Sequence, residues 1–242
     1  MAAEPKGTAL AVIDWSPFAA TLIQLSTQVT DETIVGCAST VQKLGIDCAL
    51  GWPVDFVDFL NRVNHSGGAS EPFQGDLNLR RALAYRETDR QVREVTGRWP
   101  LSVSTDRLGM TAIRCAGLLS KIAASGIHVD KSGAGKVVEI YPGASLRLWG
   151  FNTSGYRAST DARAKLLQEL TQKAPWLALG HFATAMIESC DAFDSVVAAL
   201  ATRFAQLGAY QPPTQSQLNK AKIEGWVALP NQPLTSAIGL AN

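Results

Sequence analysis

The chain has 242 residues, of which 46% are hydrophobic and 18% are charged, and its formal net charge is +1. This balance is typical of a globular protein with a sizeable core, and it excludes a disordered or low-complexity chain. The length predicts one domain over residues 1–242, while the acidic N-terminal stretch and the lack of about 18 consecutive apolar residues predict a cytoplasmic protein without a membrane partner.

The first predicted elements are short strands around one helix. The apolar run TALAVIDWS (8–16) predicts a strand, and FAATLIQLST (18–27) predicts a second strand that returns beside it after a turn at Pro17. The stretch TDETIVGCASTVQ (30–42) begins with threonine and two acidic residues, which is typical of a helix start. The segment KLGIDCAL (43–50) predicts another buried strand.

The next part of the chain is mainly helical. Residues 54–136 contain three segments with helical periodicity, and we interpret this stretch as an insert within the single domain. The loop NHSGGASEP (64–72) separates the first two of the segments, which are PVDFVDFLNRV, DLNLRRALAYRETDRQVREVT and GMTAIRCAGLLSKIAAS. The run KVVEIYPGA (136–144) then predicts a strand that is ended by Pro142.

Two of the predicted strands carry the same C-terminal pair, Ile-Asp, at Asp14 and Asp47. Ligands of open α/β sheets gather at the carboxyl ends of parallel strands. An aspartate at that position costs stability unless it is paired, hydrogen-bonded or bound to a metal. We therefore expect the two strands to pair in parallel and to bring both carboxylates to one edge of the sheet.

Two further helices are expected at about 159–172 and 191–207, and the second begins with Asp191 and Asp194. Its bulky apolar face is separate from a face of alanine and threonine, which is typical of a helix packed between two elements. One interpretation is that the two aspartates cap the helix. The other is that they join the two strand aspartates, in which case a divalent cation, Mg²⁺ or Mn²⁺, would compensate the repulsion among the carboxylates.

Positive charge concentrates in the helical insert. From Arg80 to Lys121, nine Lys and Arg residues stand against four Asp and Glu residues, which is a local balance of +5. Arg86, Asp89 and Arg93 recur there at helical spacing. Two interpretations stay open: these residues clamp a substrate phosphate across a cleft from the acidic residues, or they form a surface ladder of ion pairs.

Several segments together resemble one family, in its order and over nearly the whole chain. The segments are VIDWS, GIDCALGWP, YRETDRQVRE, VVEIYPGASL with the later GYR, CDAFDSVVAAL and EGWVALP. By these segments the sequence is similar to the family known as domain of unknown function 429, a predicted-nuclease family of the ribonuclease H-like superfamily. The resemblance implies an α/β fold in which a ribonuclease H-like mixed β-sheet is flanked by helices, with a helical insert after the second Asp-bearing strand.

The resemblance also implies a site. It matches Asp14 and Asp47 to acids of two strands, and Asp191 and Asp194 to acids of the closing helix, as catalytic residues and metal ligands. The implied function is a metal-dependent phosphodiester hydrolase, nuclease-like, with Mg²⁺ or Mn²⁺ as cofactor and nucleic acid or a nucleotide as substrate. The sequence departs from the expected pattern at Cys190, where relatives are expected to carry histidine before the helix acids.

Other residues have two open interpretations each. Glu139 lies inside an apolar strand, so it either joins the acidic cluster or is a buried, partnered carboxylate. Tyr156 and Arg157 either bind substrate or anchor a loop. Glu224 and Trp226 are expected to lock the C-terminal tail onto the core. The alternative functions on the same fold are a nucleotide-binding phosphotransferase or regulatory module, and a catalytically silent binding protein.

Overall fold

The structure is a computed structural model that describes residues 1–65 and 75–239. Most of the predicted loop at 64–72 therefore lies outside the described residues. Within the described ranges, none of the helices combines the length and the apolar character needed to cross a membrane.

The strands and helices expected from the sequence are present, with one division and four additions. The strands are β1 (Ala9–Trp15), β2 (Ala20–Thr27), β3 (Leu44–Ile46), β4 (Val137–Glu139) and β5 (Leu177–Ala178). The α-helices are α1 (Asp31–Thr40), α2 (Val54–His65), α3 (Leu77–Ala84), α4 (Glu87–Thr96), α5 (Gly109–Ala124), α6 (Pro142–Leu148), α7 (Thr160–Lys173), α8 (Ala183–Glu188), α9 (Cys190–Gln206) and α10 (Leu218–Glu224).

The described strands form two small sheets. β1 and β2 pair as an antiparallel hairpin, and β5 is parallel to β2. β3 and β4 pair in parallel, with Ile46 opposite Glu139. The expectation that the two Ile-Asp strands pair with each other is wrong, because β1 takes β2 as its neighbour and β3 takes β4. The architecture is a mixed α/β fold with little sheet and many helices.

Helix α9 packs against both sheets. Its bulky side chains, among them Phe193, Leu200 and Phe204, are fully buried in the largest hydrophobic core. Its small face approaches β3 so closely that a Cβ on Gly45 would overlap the Thr202 hydroxyl. The packing between two elements that the two-faced pattern predicts is therefore confirmed. The start of α9 lies beside the residues that follow β3, because Asp191 and Asp194 are close enough to Asp47 for their charges to interact.

Gly45→Ala is expected to lower the free energy of unfolding by about 1–3 kcal/mol, because the added methyl group overlaps Thr202 and crowds Ile140. Gly36→Ala is the matched control. Gly36 lies within α1 with open space at its Cβ position, so the same change there should raise the free energy of unfolding by about 0.4–1 kcal/mol. Urea unfolding of the two variants checks both values. A Gly45→Ala protein as stable as the wild type would contradict the close approach of α9 to β3.

The segment DLNLRRALAYRETDRQVREVT forms two helices where the sequence predicts one. α3 ends at Ala84 and α4 begins at Glu87, because Tyr85 and Arg86 have extended backbone conformations. No glycine or proline marks this break, so periodicity alone does not detect it. Four further elements are not predicted from the sequence: β5, α6, α8 and α10, which have two, seven, six and seven residues. Elements this short contain too few turns to show a period.

Candidate functional site

A cleft of about 880 Å³ is lined by residues of β1, β3 and α9. All four predicted aspartates line it: Asp14 from β1, Asp47 from the position after β3, and Asp191 and Asp194 from the first turns of α9. Arg157, from the segment before α7, lines it as well. The volume is within the range of small-molecule and cofactor sites. The fold therefore brings acids that are far apart in the sequence to one cleft.

The two aspartates of α9 do not cap the helix. The N-cap is Ser189, whose hydroxyl accepts a hydrogen bond from the Ala192 amide at 3.2 Å. The interpretation that Asp191 is the N-cap is therefore wrong, because Asp191 already lies in the first turn. With the cap supplied by serine, the carboxylates of Asp191 and Asp194 are left for other partners.

Asp194 contacts three side chains of the site. Its Oδ1 accepts a hydrogen bond from the Tyr156 hydroxyl at 2.9 Å. Its Oδ2 lies 3.8 Å from Nη2 of Arg157 and 3.8 Å from Sγ of Cys190. The Nε of Arg157 also donates to the Tyr156 hydroxyl, at 3.2 Å. The two residues that the sequence suggested for substrate binding, Tyr156 and Arg157, are thus direct neighbours of an acid of the site.

The carboxyl groups of the site influence one another. The pKa of Asp194 is raised to about 6, first because the group is buried and second because of the negative charge of Asp47. Arg157 and the hydrogen bond from Tyr156 act in the opposite direction. A buried carboxyl with a second acid nearby keeps its proton to higher pH, since ionisation would place two negative charges close together.

The pKa of Asp47 is also raised, mainly by burial, and the charge of Asp191 adds to the rise. The N-terminal ammonium group of Met1 and the guanidinium group of Arg157 oppose it. The Met1 nitrogen lies 4.0 Å from a carboxylate oxygen of Asp47 and donates a hydrogen bond to its carbonyl at 3.4 Å. Negative charge at this end of the cleft is therefore balanced only in part, by two cationic groups.

Asp14 is an exposed residue of the cleft wall. Within residues 1–65 and 75–239 it forms no hydrogen bond or ion pair with the other three aspartates. In the same ranges, no three or more His, Cys, Asp or Glu side chains are arranged so that they could hold a metal ion. The structure thus shows three interacting acids with Asp14 beside them, without a preformed metal cage in the described part of the chain.

Asp194→Asn is expected to stabilise the metal-free protein at pH 7.5 by about 1–3 kcal/mol. The folded-state pKa of Asp194 lies above the usual value of 3.8, so its contribution to stability is fully present below about pH 4 and is lost as the pH rises through about 6. Asparagine carries no charge and still accepts the Tyr156 hydrogen bond. Urea unfolding in EDTA at pH 4.5 and pH 7.5 checks this: the difference between variant and wild type should grow with pH, and an equal difference at both pH values would contradict it.

Arg163 holds the segment that carries Tyr156 and Arg157, although the sequence analysis did not single it out. It is 5% exposed, and its guanidinium group donates hydrogen bonds of 2.7–3.3 Å to the main-chain carbonyls of Tyr156, Arg157, Ile187 and Glu188. These bonds tie the segment before α7 to the segment before α9. Arg157 is consequently positioned over Asp194. The only signal for Arg163 in the sequence is that helical spacing places this arginine on the face of α7 that packs against the core.

Arg86 is the centre of a buried ion-pair network. Its five N–H donors are all used, by the carboxylates of Asp89 and Glu139 and by the carbonyl of Glu224, at 2.8–3.1 Å. The side chains of Arg86, Asp89 and Glu139 are 5% exposed or less. These three residues border the cleft, but the bonds leave no donor of Arg86 for a phosphate. Arg93 is exposed and is not among the residues that line the cleft.

The C-terminal tail is locked onto the core, as expected. The carboxylate of Glu224 accepts hydrogen bonds from the amides of Val54 and Glu87, both at 2.9 Å, at the starts of α2 and α4. Trp226 is 1% exposed, and its ring N–H donates to the carbonyl of Gln211 at 2.9 Å. Together with the Arg86 network, these contacts bind the helical insert to β4 and the tail. The structure therefore favours the buried, partnered interpretation of Glu139.

The comparison with protein families gives one match. A family model described as Protein of unknown function (DUF429) matches residues 5–217. The match covers most of the chain, so the chain belongs to this family, and the resemblance to domain of unknown function 429 is confirmed. No curated protein and no solved structure matches the chain. The family description names no activity, and the function is therefore argued from the cleft.

Proposed function

We propose that this family member is a metal-dependent phosphodiester hydrolase, nuclease-like, with its acids in a ribonuclease H-like arrangement. The observation that carries the proposal is the convergence of Asp47, Asp191, Asp194 and Arg157 in one cleft. One acid follows a parallel strand and two belong to a helix that packs on it; the resemblance implies these three acids together with Asp14 on a second strand. Acids beside an arginine suit a phosphate ester, since the acids attract a cation and the arginine pairs with the anion.

Mg²⁺ or Mn²⁺ is the proposed cofactor. The facing groups are carboxylate oxygens, which these hard cations prefer. Mg²⁺ is commonly held by one or two carboxylates together with phosphate oxygens of the substrate and water, so a cation that enters with the substrate needs no cage of three acids. Asp47 and Asp194 are the proposed ligands, with Asp191 and Asp14 beside them. The bound cation would lower the pKa of a water molecule and neutralise charge on the leaving oxygen.

The residues of the chain have separate roles in this proposal. Arg157, whose side chain is 57% exposed, pairs with the phosphate at the mouth of the cleft. Tyr156 holds Oδ1 of Asp194, which leaves Oδ2 on the side of Arg157. A carboxyl with a pKa of about 6 exchanges its proton near neutral pH, and the arrival of positive charge favours its ionised form. Asp194 thus becomes a full ligand when cation and substrate arrive.

Nucleotide binding without hydrolysis is a second candidate function, and the apolar wall of the cleft favours it. Ile13 and Trp15 of β1 line the same cleft as the acids, and so does Tyr141. Aromatic and apolar surface beside a few charged groups suits a nucleobase next to its phosphates. In this candidate the same acids and cation bind a nucleotide in a phosphotransferase or regulatory module, or in a catalytically silent binding protein.

The test is a cleavage assay of the wild-type protein with Mg²⁺ or Mn²⁺. The substrates are single-stranded, duplex and hybrid nucleic acids and a small synthetic phosphodiester. Cleavage that needs the cation and is lost in Asp194→Asn would support the hydrolase. Stabilisation by a nucleotide and cation without cleavage would support the second candidate. The absence of both cleavage and stabilisation would contradict both functions.

A further inference from the structure

Arg147 lacks the partners that the other buried arginines have. Its Nε is enclosed by protein and has no hydrogen-bond partner within residues 1–65 and 75–239. Among the described residues, its side chain forms no hydrogen bond or ion pair, and its observed contact is with the ring of Tyr141, 5.6 Å from the guanidinium carbon. Arg86 and Arg163, by contrast, use their donors fully or nearly so. A half-buried guanidinium group without an acceptor is uncommon, because a buried charge is costly unless it is paired.

The guanidinium groups of Arg147 and Arg157 converge on Gly143. Measured from the point where a Cβ of Gly143 would lie, Nη2 of Arg157 is 3.5 Å away and Nη1 of Arg147 is 3.6 Å away. The two nitrogens are therefore no more than about 7 Å apart. Each guanidinium group lies over a tyrosine ring, Arg147 over Tyr141 and Arg157 over Tyr156. Stacking on an aromatic ring limits the positions of an arginine and leaves its N–H edge free for a ligand.

The two guanidinium groups differ in their acidic partners among the described residues. Asp194 lies 3.8 Å from Nη2 of Arg157, and the charge of Asp47 also acts on Arg157, whereas Arg147 forms no ion pair within residues 1–65 and 75–239. Two guanidinium groups repel each other at this distance unless an anion lies between them. A pair of arginines suits a phosphate group better than a ligand with only one negatively charged oxygen, because each planar guanidinium group can donate two parallel hydrogen bonds.

We propose that Arg147 and Arg157 form a binding site for a phosphate group over Gly143, next to Asp194. In the proposed hydrolase this site would hold the substrate phosphate that pairs with Arg157 at the mouth of the cleft, and Arg147 would be a second guanidinium group on the same phosphate. That assignment of the ligand to the substrate rests on the proposed function. The binding of phosphate itself rests only on the convergence of the two arginines on Gly143 and on the lack of an acceptor for Arg147 among the described residues.

Inorganic phosphate and pyrophosphate are the probes, titrated into the metal-free protein in EDTA and followed by calorimetry at low ionic strength. Arg147→Gln is expected to weaken binding at least tenfold, and Arg147→Lys is expected to recover part of it, since lysine keeps the charge but not the two-pronged donor. Arg62→Gln is the control: Arg62 is an exposed residue of α2 outside the lining of the cleft, and its loss removes the same charge without effect on binding.

Gly143→Ala gives a second variant that should remain folded. Gly143 lies within α6 and does not have a positive φ, and a methyl group there would meet its neighbours at ordinary contact distances of 3.5–3.6 Å. The methyl group fills the space between the two arginines and is expected to weaken phosphate binding at least tenfold as well. Thermal unfolding without phosphate should be equal in wild type and Gly143→Ala.

The outcomes separate this proposal from the proposed function. Phosphate binding that depends on Arg147 in a protein without hydrolytic activity would support the site and contradict the hydrolase. Hydrolysis with wild-type affinity for phosphate in both Arg147→Gln and Gly143→Ala would contradict the site and leave the hydrolase standing. A wild-type protein that binds neither phosphate nor pyrophosphate at millimolar concentration would overturn the proposal directly.

Discussion

Arg86→Met is expected to destabilise the protein by about 3–5 kcal/mol, or to prevent folding at 37 °C. The substitution removes the only cation that the described part of the chain places against the carboxylates of Asp89 and Glu139, which are 5% exposed or less. Burial raises the pKa of Glu139, and Arg86 is the main group that lowers it, so its loss leaves a negative charge without compensation. Chemical unfolding of wild type and variant at pH 7.5 measures the effect.

The pH dependence of this loss provides an internal check. In Arg86→Met, protonation of Glu139 removes the buried charge, so the deficit in stability should shrink as the pH falls from 7.5 towards 5. Arg90→Met is the matched control, since Arg90 pairs with Glu87 at the surface, its side chain is 34% exposed, and its loss should cost less than about 1 kcal/mol. Equal effects of the two substitutions would show that the Arg86 network does not hold the insert to the core.

The role of Arg86 shows where sequence reasoning reaches its limit. The sequence places Arg86 and Asp89 one helical turn apart, and that spacing fits both a surface ladder and a phosphate clamp. The structure adds Glu139 and the carbonyl of Glu224, which are 53 and 138 residues away along the chain. Contacts across such separations depend on the tertiary fold, and no local pattern encodes them. Burial of the whole group is what turns a candidate ligand into a structural residue.

The acidic site was more accessible to prediction. The sequence predicts Asp47 at the end of a buried strand, because an apolar run stops at this charge. It predicts Asp194 at the start of a two-faced helix, because a separate alanine face is visible there. Asp47 and Asp194 meet in the structure because α9 packs against β3, which is a tertiary contact. The pairing of β1 with β3 was predicted wrongly, since three-residue strands carry too little pattern to identify their neighbours. Ser189 as N-cap was missed for a similar reason: a serine and an aspartate two residues apart are equally good caps.

Asp47→Asn is expected to reduce metal-dependent hydrolysis at least 100-fold, which corresponds to about 2.7 kcal/mol of transition-state stabilisation. In the proposal Asp47 is one of two carboxylates that hold the cation with the substrate phosphate, and an amide oxygen binds Mg²⁺ more weakly than a carboxylate. Because partial burial and the charge of Asp191 both disfavour the ionised form of Asp47, the metal-free variant should be as stable as the wild type or more stable. Millimolar Mg²⁺ should raise the thermal midpoint of the wild type by mass action and have little effect on the variant.

Asp14→Asn and Asp55→Asn are the comparison variants for the loss of hydrolysis and of the Mg²⁺ response in Asp47→Asn. Asp14 is exposed on β1, in the other sheet from β3, so its substitution should reduce the rate and the Mg²⁺ response less than that of Asp47. Asp55 is 45% exposed, pairs with Lys220 and lies outside the lining of the cleft, so its substitution should leave both unchanged. A structural aspartate behaves in the opposite way to Asp47, because its asparagine variant loses stability with and without metal. If the Asp47→Asn protein is destabilised in EDTA but keeps the wild-type rate and Mg²⁺ response, Asp47 has a structural role. That outcome would refute the proposed cation site.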